Sequence, residues 1–154
     1  MSAVADMATE TATAQAATTG KGPRIVALGA GRMGRGIAMA YALRGHAVAI
    51  VDFKARDAQA FEALRQSAVH ELRLTLQQLA DLGSVSADQI DSCLGLISVH
   101  PLGEAAQVLG VAEIIFEGVP ETLDAKRDAL GRLGELANPK ALIASTTSTM
   151  LASD

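Results

Sequence analysis

The stretch that decides the fold covers residues 24–52 and reads RIVALGAGRMGRGIAMAYALRGHAVAIVD. It opens with the apolar run Ile25–Leu28, which is typical of a buried parallel strand. A glycine-rich turn at residues 29–34 follows and leads into a helical pattern. A second apolar run, residues 47–51, is closed by Asp52. This order predicts one β-α-β unit.

The glycine turn has the GxGxxG spacing of dinucleotide-binding β-α-β units. Gly29 allows the tight turn out of the strand, and Gly31 lets a pyrophosphate approach the backbone. Gly34 lets the helix pack closely on the strand. The N-terminus of that helix offers unpaired N–H groups and a positive dipole end to the phosphates. The turn therefore predicts a dinucleotide site.

Asp52 ends the second strand 23 positions after Gly29. We expect its carboxylate to accept hydrogen bonds from both hydroxyls of the adenosine ribose, each contributing about 1.5–3 kcal/mol. The same carboxylate would repel a 2′-phosphate, so the sequence favours NAD over NADP. Only Lys54 and Arg56 argue the other way. The alternative is an ordinary β-α-β unit with a chance aspartate, and the complete strand, turn, helix and strand context argues against it.

The composition is that of one globular domain, with 154 residues of which 49% are hydrophobic and 19% charged. A net charge of −4 and an aromatic content of 3% argue against nucleic acid or an anionic membrane as a partner. No apolar run reaches the ~20 residues that a bilayer span needs. The single cysteine, Cys93, fits a reducing cytoplasm. We expect it to be a small buried residue near the start of a strand.

Two segments differ in character from an ordinary domain core. Residues 1–22 are rich in Ala and Thr without hydrophobic periodicity, which predicts a disordered leader ahead of a domain at residues 23–154. A helical pattern at about residues 56–82 would be roughly 40 Å long, more than a crossover helix requires. It therefore either breaks or projects beyond the sheet.

The remaining chain alternates strands and helices. Strands are predicted at residues 94–99, 113–118 and 141–144, and helices at residues 101–109 and 122–137. This alternation predicts an α/β fold with a doubly wound parallel sheet of the Rossmann type.

Polar features follow several of these strands. Ligands of such sheets bind at the carboxyl ends of the strands, where the glycine turn, Asp52, Glu121 and a Ser/Thr run at residues 145–149 all fall. Taken singly, Glu121 and Lys126 could be a solvated helix start, and the Ser/Thr run a polar loop. Together at one edge they predict a site.

Three segments resemble the NAD-binding domain of L-3-hydroxyacyl-CoA dehydrogenases: GAGRMGRGIA at 29–38, VPETLDAK at 119–126 and ASTTST at 144–149. The resemblance implies an NAD-dependent enzyme of fatty acid metabolism that oxidises the 3-hydroxyl of a 3-hydroxyacyl-CoA. It implies that Ser148 hydrogen-bonds the oxygen on C3 of an acyl-CoA substrate. The long second helix also matches the family, where that region helps to bind CoA. The implied cofactor contacts are Gly29, Ala30, Gly31, Arg32, Met33, Gly34, Asp52, Glu121 and Lys126.

The sequence also departs from this family. The family usually has Asn where this chain has Thr146, and the long helical segment at residues 56–82 has no lysine to match the family's CoA-contacting one. The family's general base, a histidine in an H-F-x-x-P context, is not matched by His46, His70 or His100. The helical domain that follows in the family, with its dimer surface, is absent from this sequence. The chain therefore resembles the front part of such an enzyme, and we expect it to be inactive alone and to dimerise only as part of a full-length protein.

Two alternatives stay open. The same module serves dehydrogenases of other hydroxy acids or sugar acids, and it can also be a non-catalytic NAD-binding module. The sequence downstream of Asp154, and activity towards CoA esters against free hydroxy acids, would separate these alternatives.

Overall fold

The fold is taken from a computed structural model that describes residues 22–150. The predicted leader therefore lies outside the described residues, apart from Gly22. Within the described residues, no helix is both long and apolar enough to cross a membrane.

Five parallel strands form one sheet in the order β3-β2-β1-β4-β5. The chain order reverses direction at β1, which is the switch point where ligands of doubly wound sheets bind. The predicted α/β class and parallel sheet are confirmed. The strands are β1 Ile25–Leu28, β2 Val48–Val51, β3 Ile97–His100, β4 Ile114–Glu117 and β5 Leu142–Ser145.

The helices cover both faces of the sheet. The first three pack on one face and the last two on the other. They are α1 Arg32–Ala42, α2 Ala58–Asp81, α3 Gln89–Gly95, α4 Ala105–Leu109 and α5 Leu123–Leu136, with a 3-10 turn at Leu102–Glu104 before α4.

Alternation along β1 divides the core between these two layers. Ile25 and Ala27 face α1, where Ala38 is fully buried against them. Val26 and Leu28 face the opposite layer with Leu133 of α5. Because β1 is covered on both sides, all four of its residues are apolar and buried, as expected for a central parallel strand.

Helix α2 is one unbroken helix of 24 residues that begins at a side-chain cap, where Asp57 accepts the N–H of Ala60 at 2.7 Å. It is roughly 36 Å long, whereas a four-residue strand spans roughly 13 Å. Only Ala68, Leu72 and Leu76 are buried along it. The helix therefore extends well beyond the sheet, which decides between the two alternatives left by the sequence.

The region before β3 differs from the prediction. The strand begins at Ile97 rather than at residue 94, because residues 89–95 form α3. Cys93 is buried shortly before the start of β3, as expected, but it lies in α3 beside Leu76 and Ile90. Short apolar runs do not separate helix from strand, which explains the error. Burial raises the pKa of the Cys93 thiol, which favours its neutral form.

Candidate functional site

The glycine turn connects β1 to α1 with very little room. Gly29 has φ +97, and its N–H donates to the Val51 carbonyl at 2.8 Å. A Cβ on Gly34 would lie 1.8 Å from the carbonyl oxygen of Gly29, whereas a Cβ on Gly31 would meet nothing within 4 Å. The turn therefore requires a left-handed residue at Gly29 and a bare backbone at Gly34, and it leaves open space at Gly31.

The start of α1 suits an anion. Gly31 is the N-cap and supplies no side-chain hydrogen bond, and the first turn holds no acidic residue. Helix N-termini of this kind present their amides and positive dipole end to phosphates. The side chains of Arg32 and Met33 are exposed at this end of the helix, and the Ala30 carbonyl accepts a bond from Arg35 at 2.8 Å. The residues present therefore fit the pyrophosphate of a dinucleotide.

Asp52 lies directly after β2 and is 4% exposed. Its N–H donates to the His100 carbonyl, which fixes it at the carboxyl edge of the sheet. Its Oδ2 accepts the Nε of Arg56 at 2.6 Å, and its Oδ1 accepts the Lys54 N–H at 3.4 Å. Contact with a ribose stays a prediction. The structure adds an ion pair to Arg56, which the sequence alone had not indicated.

Glu121 accepts several hydrogen bonds from the Ser/Thr loop after β5. Its Oε1 accepts the hydroxyls of Thr147 and Thr149 at 2.6 and 3.0 Å. The same oxygen accepts the backbone N–H groups of Ser148 and Thr149 at 3.0 and 3.2 Å. The Thr147 hydroxyl and the Ser148 amide are the main donors that lower the pKa of Glu121 to about 2. Glu121 therefore holds in place the loop that carries Ser148.

Lys126 has partners inside the protein. Its Nζ donates to both carboxylate oxygens of Glu117 at 2.9 Å and lies 3.3 Å from Oε2 of Glu121. Lys126 is 5% exposed and Glu117 is fully buried. The ammonium group of Lys126 therefore already has carboxylate partners in the protein. A direct contact between Lys126 and a cofactor stays a prediction.

Sequence reasoning missed Glu117 and the residues around it. Glu117 also accepts the Ser145 hydroxyl at 2.6 Å and the Val119 N–H at 2.7 Å. It thereby joins β4, β5 and α5 at the carboxyl edge. The available signal was an acidic residue at the end of the otherwise apolar strand IIFE.

Gly118 joins this cluster to the glycine turn. Its N–H donates to the Leu28 carbonyl at 3.0 Å. A Cβ built on Gly29 would lie 3.2 Å from the Gly118 carbonyl oxygen, and one built on Gly118 would lie 3.5 Å from Cβ of Met33. The predicted residues therefore lie along one edge in the order of the strands: Asp52 after β2, the glycine turn after β1, and Glu121 and Ser148 after β4 and β5.

A cavity of about 280 Å³ lies beyond Asp52 at the same edge. It combines cationic and apolar side chains from the segments that follow β2 and β3. Its lining residues are Lys54, Ala55, Arg56, Phe61, Pro101, Leu102 and Gly103.

Comparison with known proteins agrees with this geometry. Residues 24–154 match the family model of the 3-hydroxyacyl-CoA dehydrogenase NAD binding domain. A Bacillus subtilis protein named "Probable 3-hydroxybutyryl-CoA dehydrogenase" is 28% identical over 127 residues, 82% of this chain and 41% of that protein. The Escherichia coli 3-hydroxyadipyl-CoA dehydrogenase is also 28% identical over 82% of this chain, but over only 24% of its own length.

A solved structure shows the same likeness. The (S)-3-hydroxybutyryl-CoA dehydrogenase of Ralstonia eutropha superposes with a TM-score of 0.70 at 28% identity, over 84% of this chain and 42% of that one. The chain thus spans less than half the length of these relatives. The glycine turn, the parallel sheet and the matched residues together show that this chain belongs to the family of NAD-binding domains of 3-hydroxyacyl-CoA dehydrogenases.

Proposed function

We propose that this chain is the NAD-binding part of an oxidoreductase that oxidises the 3-hydroxyl of a 3-hydroxyacyl-CoA to the 3-ketone by hydride transfer to NAD. The observation that carries the proposal is the placement of the Ser148 loop. Glu121 holds this loop next to β4, and Gly118 at the end of β4 contacts the glycine turn. A cofactor on the turn and a substrate oxygen at Ser148 would then be neighbours.

Each residue has a defined part in this proposal. The turn at residues 29–34 holds the pyrophosphate through backbone amides, and Asp52 accepts the ribose hydroxyls. A carboxylate has about four lone-pair sites, so Asp52 retains acceptor capacity beside its bond to Arg56. The bound NAD supplies the hydride acceptor. Ser148 donates a hydrogen bond to the oxygen on C3 and so orients the reacting carbon.

The proposed oxidation also needs a group that accepts the proton of the substrate hydroxyl. His46 precedes β2 at the opposite edge of the sheet, His70 lies on the exposed surface of α2, and His100 ends β3 at the far side from β5. His100 is also engaged with Ser98 and Glu104 at 2.9 and 2.7 Å. We therefore infer that none of the three serves Ser148, and we expect no turnover from residues 22–150 alone.

Cofactor binding is tested by titrating the chain with NADH and following the fluorescence of the nicotinamide. Replacing Asp52 with Ala removes the ribose acceptor, and we expect affinity to fall about tenfold or more, the value of one charge-assisted hydrogen bond. Asp81→Ala is the matched control, since Asp81 ends α2 and contacts Gln77 there. Equal affinity of the Asp52 and Asp81 variants would contradict the assignment.

Substrate class is tested on the protein encoded by the whole reading frame that contains this chain. We expect loss of NADH absorbance with acetoacetyl-CoA, and a decrease in that rate in Ser148→Ala. Faster reaction with the oxidation products of free hydroxy acids or sugar acids would favour another dehydrogenase on the same module. A reading frame that ends near Asp154 would favour a non-catalytic NAD-binding module.

The wider setting follows from the same proposal. We infer a place in fatty acid metabolism from the family match, and a cytoplasmic location from the single, buried cysteine. We infer no role for nucleic acid, given the net charge of −4. A homodimer is expected only for a longer protein, which sedimentation of both forms would show.

A further inference from the structure

Arg35 lies near the start of α1 and connects the glycine turn to a second helix. Its Nη1 donates to the carbonyl of Ala30 in the turn at 2.8 Å, and its Nη2 donates to a carboxylate oxygen of Glu71 in α2. The Arg35 side chain is only 16% exposed, so its charge is largely shielded from water. Because a guanidinium is planar and rigid, the contact with Glu71 helps to direct the other terminal nitrogen at the turn.

The carbonyl that Arg35 binds belongs to a peptide unit at the predicted pyrophosphate site. The bond between Ala30 and Gly31 is trans and planar, so the N–H of Gly31 points away from the Ala30 carbonyl. Gly31 is exposed, and its N–H makes no hydrogen bond within residues 22–150. Arg35 therefore fixes the peptide plane that decides where this free amide points. A charged donor on the carbonyl also polarises the peptide, which makes the N–H a stronger donor.

Glu71 holds the guanidinium from the side opposite the turn. It lies 36 residues after Arg35, in the middle of α2. The hydroxyl of Ser67, one helical turn earlier, lies 3.4 Å from the second carboxylate oxygen of Glu71. Helix α2 follows the β-α-β unit in the chain and packs on the same face of the sheet as α1. The conformation of the glycine turn therefore depends on a carboxylate from outside the unit that carries the turn.

We propose that Arg35 is a positioning residue for the cofactor: anchored on Glu71, it aims the Gly31 amide at the pyrophosphate of NAD. The inference rests on the proposed function, because it uses the same glycine turn for the pyrophosphate. Arg35 acts through the peptide that joins Ala30 to Gly31, and Glu71 acts through Arg35. Cofactor affinity then depends on a residue of α2 that does not touch the cofactor.

Glu71→Gln gives the sharpest test, because a positioning role and a simple charge effect predict changes of opposite sign. Removing a negative charge near a pyrophosphate should tighten NADH binding if charge alone matters, or if the freed guanidinium contacts the phosphate itself. If Glu71 anchors Arg35, the same change should weaken NADH binding about threefold to tenfold. Fluorescence titration of the 154-residue chain with NADH measures the dissociation constant. Unchanged or tighter binding overturns the inference and leaves the proposed function intact, whereas no binding by the unaltered chain overturns both.

Glu62→Gln is the matched control on the same helix. Glu62 binds Arg65 within α2, so its loss should change NADH affinity by less than about twofold. Arg35→Ala should weaken NADH binding about tenfold or more. In the Arg35→Ala background, Glu71→Gln should cause no further loss, because the carboxylate acts only through the guanidinium. Equal losses from Glu71→Gln in both backgrounds would overturn the inference.

Two further measurements separate positioning from a general loss of structure. In NMR spectra without cofactor, the Gly31 amide signal should move in Glu71→Gln, while that of Gly134 in α5 should stay in place. Arg35→Lys keeps the charge but replaces the planar fork with a single ammonium group, so it should recover only part of the NADH affinity that Arg35→Ala loses. An unmoved Gly31 signal, or native affinity in Arg35→Lys, contradicts the positioning role.

Discussion

At the scale of single residues, the glycine turn has the glycine with the least room for a side chain within residues 22–150. The carbonyl of Gly29 points at the backbone of Gly34 so closely that a methyl group there would lie 1.8 Å from the oxygen. Gly31, only three residues earlier, faces open space and has an ordinary φ of −77. The two glycines share one motif but have different physical reasons to be glycine.

This difference predicts stability losses of different size for the two alanine substitutions. Gly34→Ala should lower the free energy of unfolding by about 3 kcal/mol or more, because the helix must move away from the turn. Gly31→Ala should lower the free energy of unfolding by under about 1 kcal/mol. It should still weaken NADH binding, because the added methyl group blocks the approach of the pyrophosphate to the backbone. Urea unfolding and NADH fluorescence measured on both variants check this, and similar stability losses for the two would contradict it.

The buried pair of Glu117 and Lys126 gives a second prediction at this scale. Lys126→Met leaves the fully buried Glu117 without its counter-ion, so we expect a loss of about 3–5 kcal/mol in the free energy of unfolding. Adding Glu117→Gln to that variant removes the isolated charge and should recover part of the loss. Denaturant unfolding of the single and double variants decides, and a double variant that is less stable than the single one would contradict the account.

At the scale of elements, the unit β4-α5-β5 is joined at the carboxyl edge by polar contacts, in addition to the apolar packing of Ile115 against Ala129 and Leu133. Glu117 at the end of β4 binds Ser145 of β5 and Lys126 of α5, and Glu121 before α5 binds the loop after β5. Apolar packing fixes how far apart layers lie, whereas these directed hydrogen bonds fix where the Ser148 loop lies. The loop geometry at the site therefore depends on two carboxylates.

The low pKa of Glu121 makes this dependence measurable. Its pKa falls from 4.5 to about 2 in the folded protein, chiefly through the Thr147 hydroxyl and then the Ser148 amide. A carboxylate with a lowered pKa contributes stability that is complete above about pH 4.5 and is lost as pH falls through about 2. In NMR spectra, we expect the chemical shift of the Glu121 side-chain carboxyl carbon to keep its carboxylate value as the pH is lowered through 4.5.

Glu121→Gln serves as the comparison for this titration. The amide protons of Ser148 and Thr149 should move upfield in that variant at neutral pH, because a neutral acceptor replaces a charged one. A Glu121 titration midpoint near 4.5 in the native chain would show that the loop is not held by this carboxylate.

At the scale of the whole molecule, β5 is the least protected part of the sheet. Leu142 is 63% exposed and Ile143 is 43% exposed, and neighbouring residues of a strand point to opposite faces. In the described part of the chain, β5 is an edge strand that pairs only with β4. Within residues 22–150, both faces and the free edge of β5 are therefore open to other molecules.

An exposed apolar edge of this kind favours association between chains. We predict that the chain forms open-ended aggregates, and not a defined homodimer, at micromolar concentrations, and that Leu142→Lys reduces this aggregation, because a charge on an edge strand opposes pairing. Light scattering over a concentration series measures it. Leu82→Lys is the control, since Leu82 is 78% exposed after α2 and lies outside the sheet. Equal scattering by both variants would contradict the role of β5.

The sequence by itself determined the nucleotide half of this protein. Residues 24–52 carry their information locally: an apolar run, glycines at fixed spacing and an acid that ends the next strand. Each of these is a short-range requirement of backbone conformation or burial, so the β-α-β unit and the parallel sheet were predictable. The boundary between α3 and β3 was not, because the apolar run that begins at residue 94 suits a strand and a helix equally well until the helices pack.

Only the tertiary structure decided which hydrogen-bond and ion-pair partners the polar residues at this edge have. Glu121 and Lys126 stay predicted cofactor contacts. The fold adds that Lys126 pairs with Glu117 and Glu121 and that Glu121 binds the Ser148 loop. It likewise pairs Asp52 with Arg56 at 2.6 Å. Glu121 meets partners that lie 26 to 28 residues away, and no local pattern encodes that contact. Asp52 and Arg56 are only four residues apart, and they meet because of the conformation of the loop after β2. The sequence therefore predicted which edge of the sheet holds the site, and the packing of β4, β5 and α5 decided the partners of Glu117, Glu121 and Lys126.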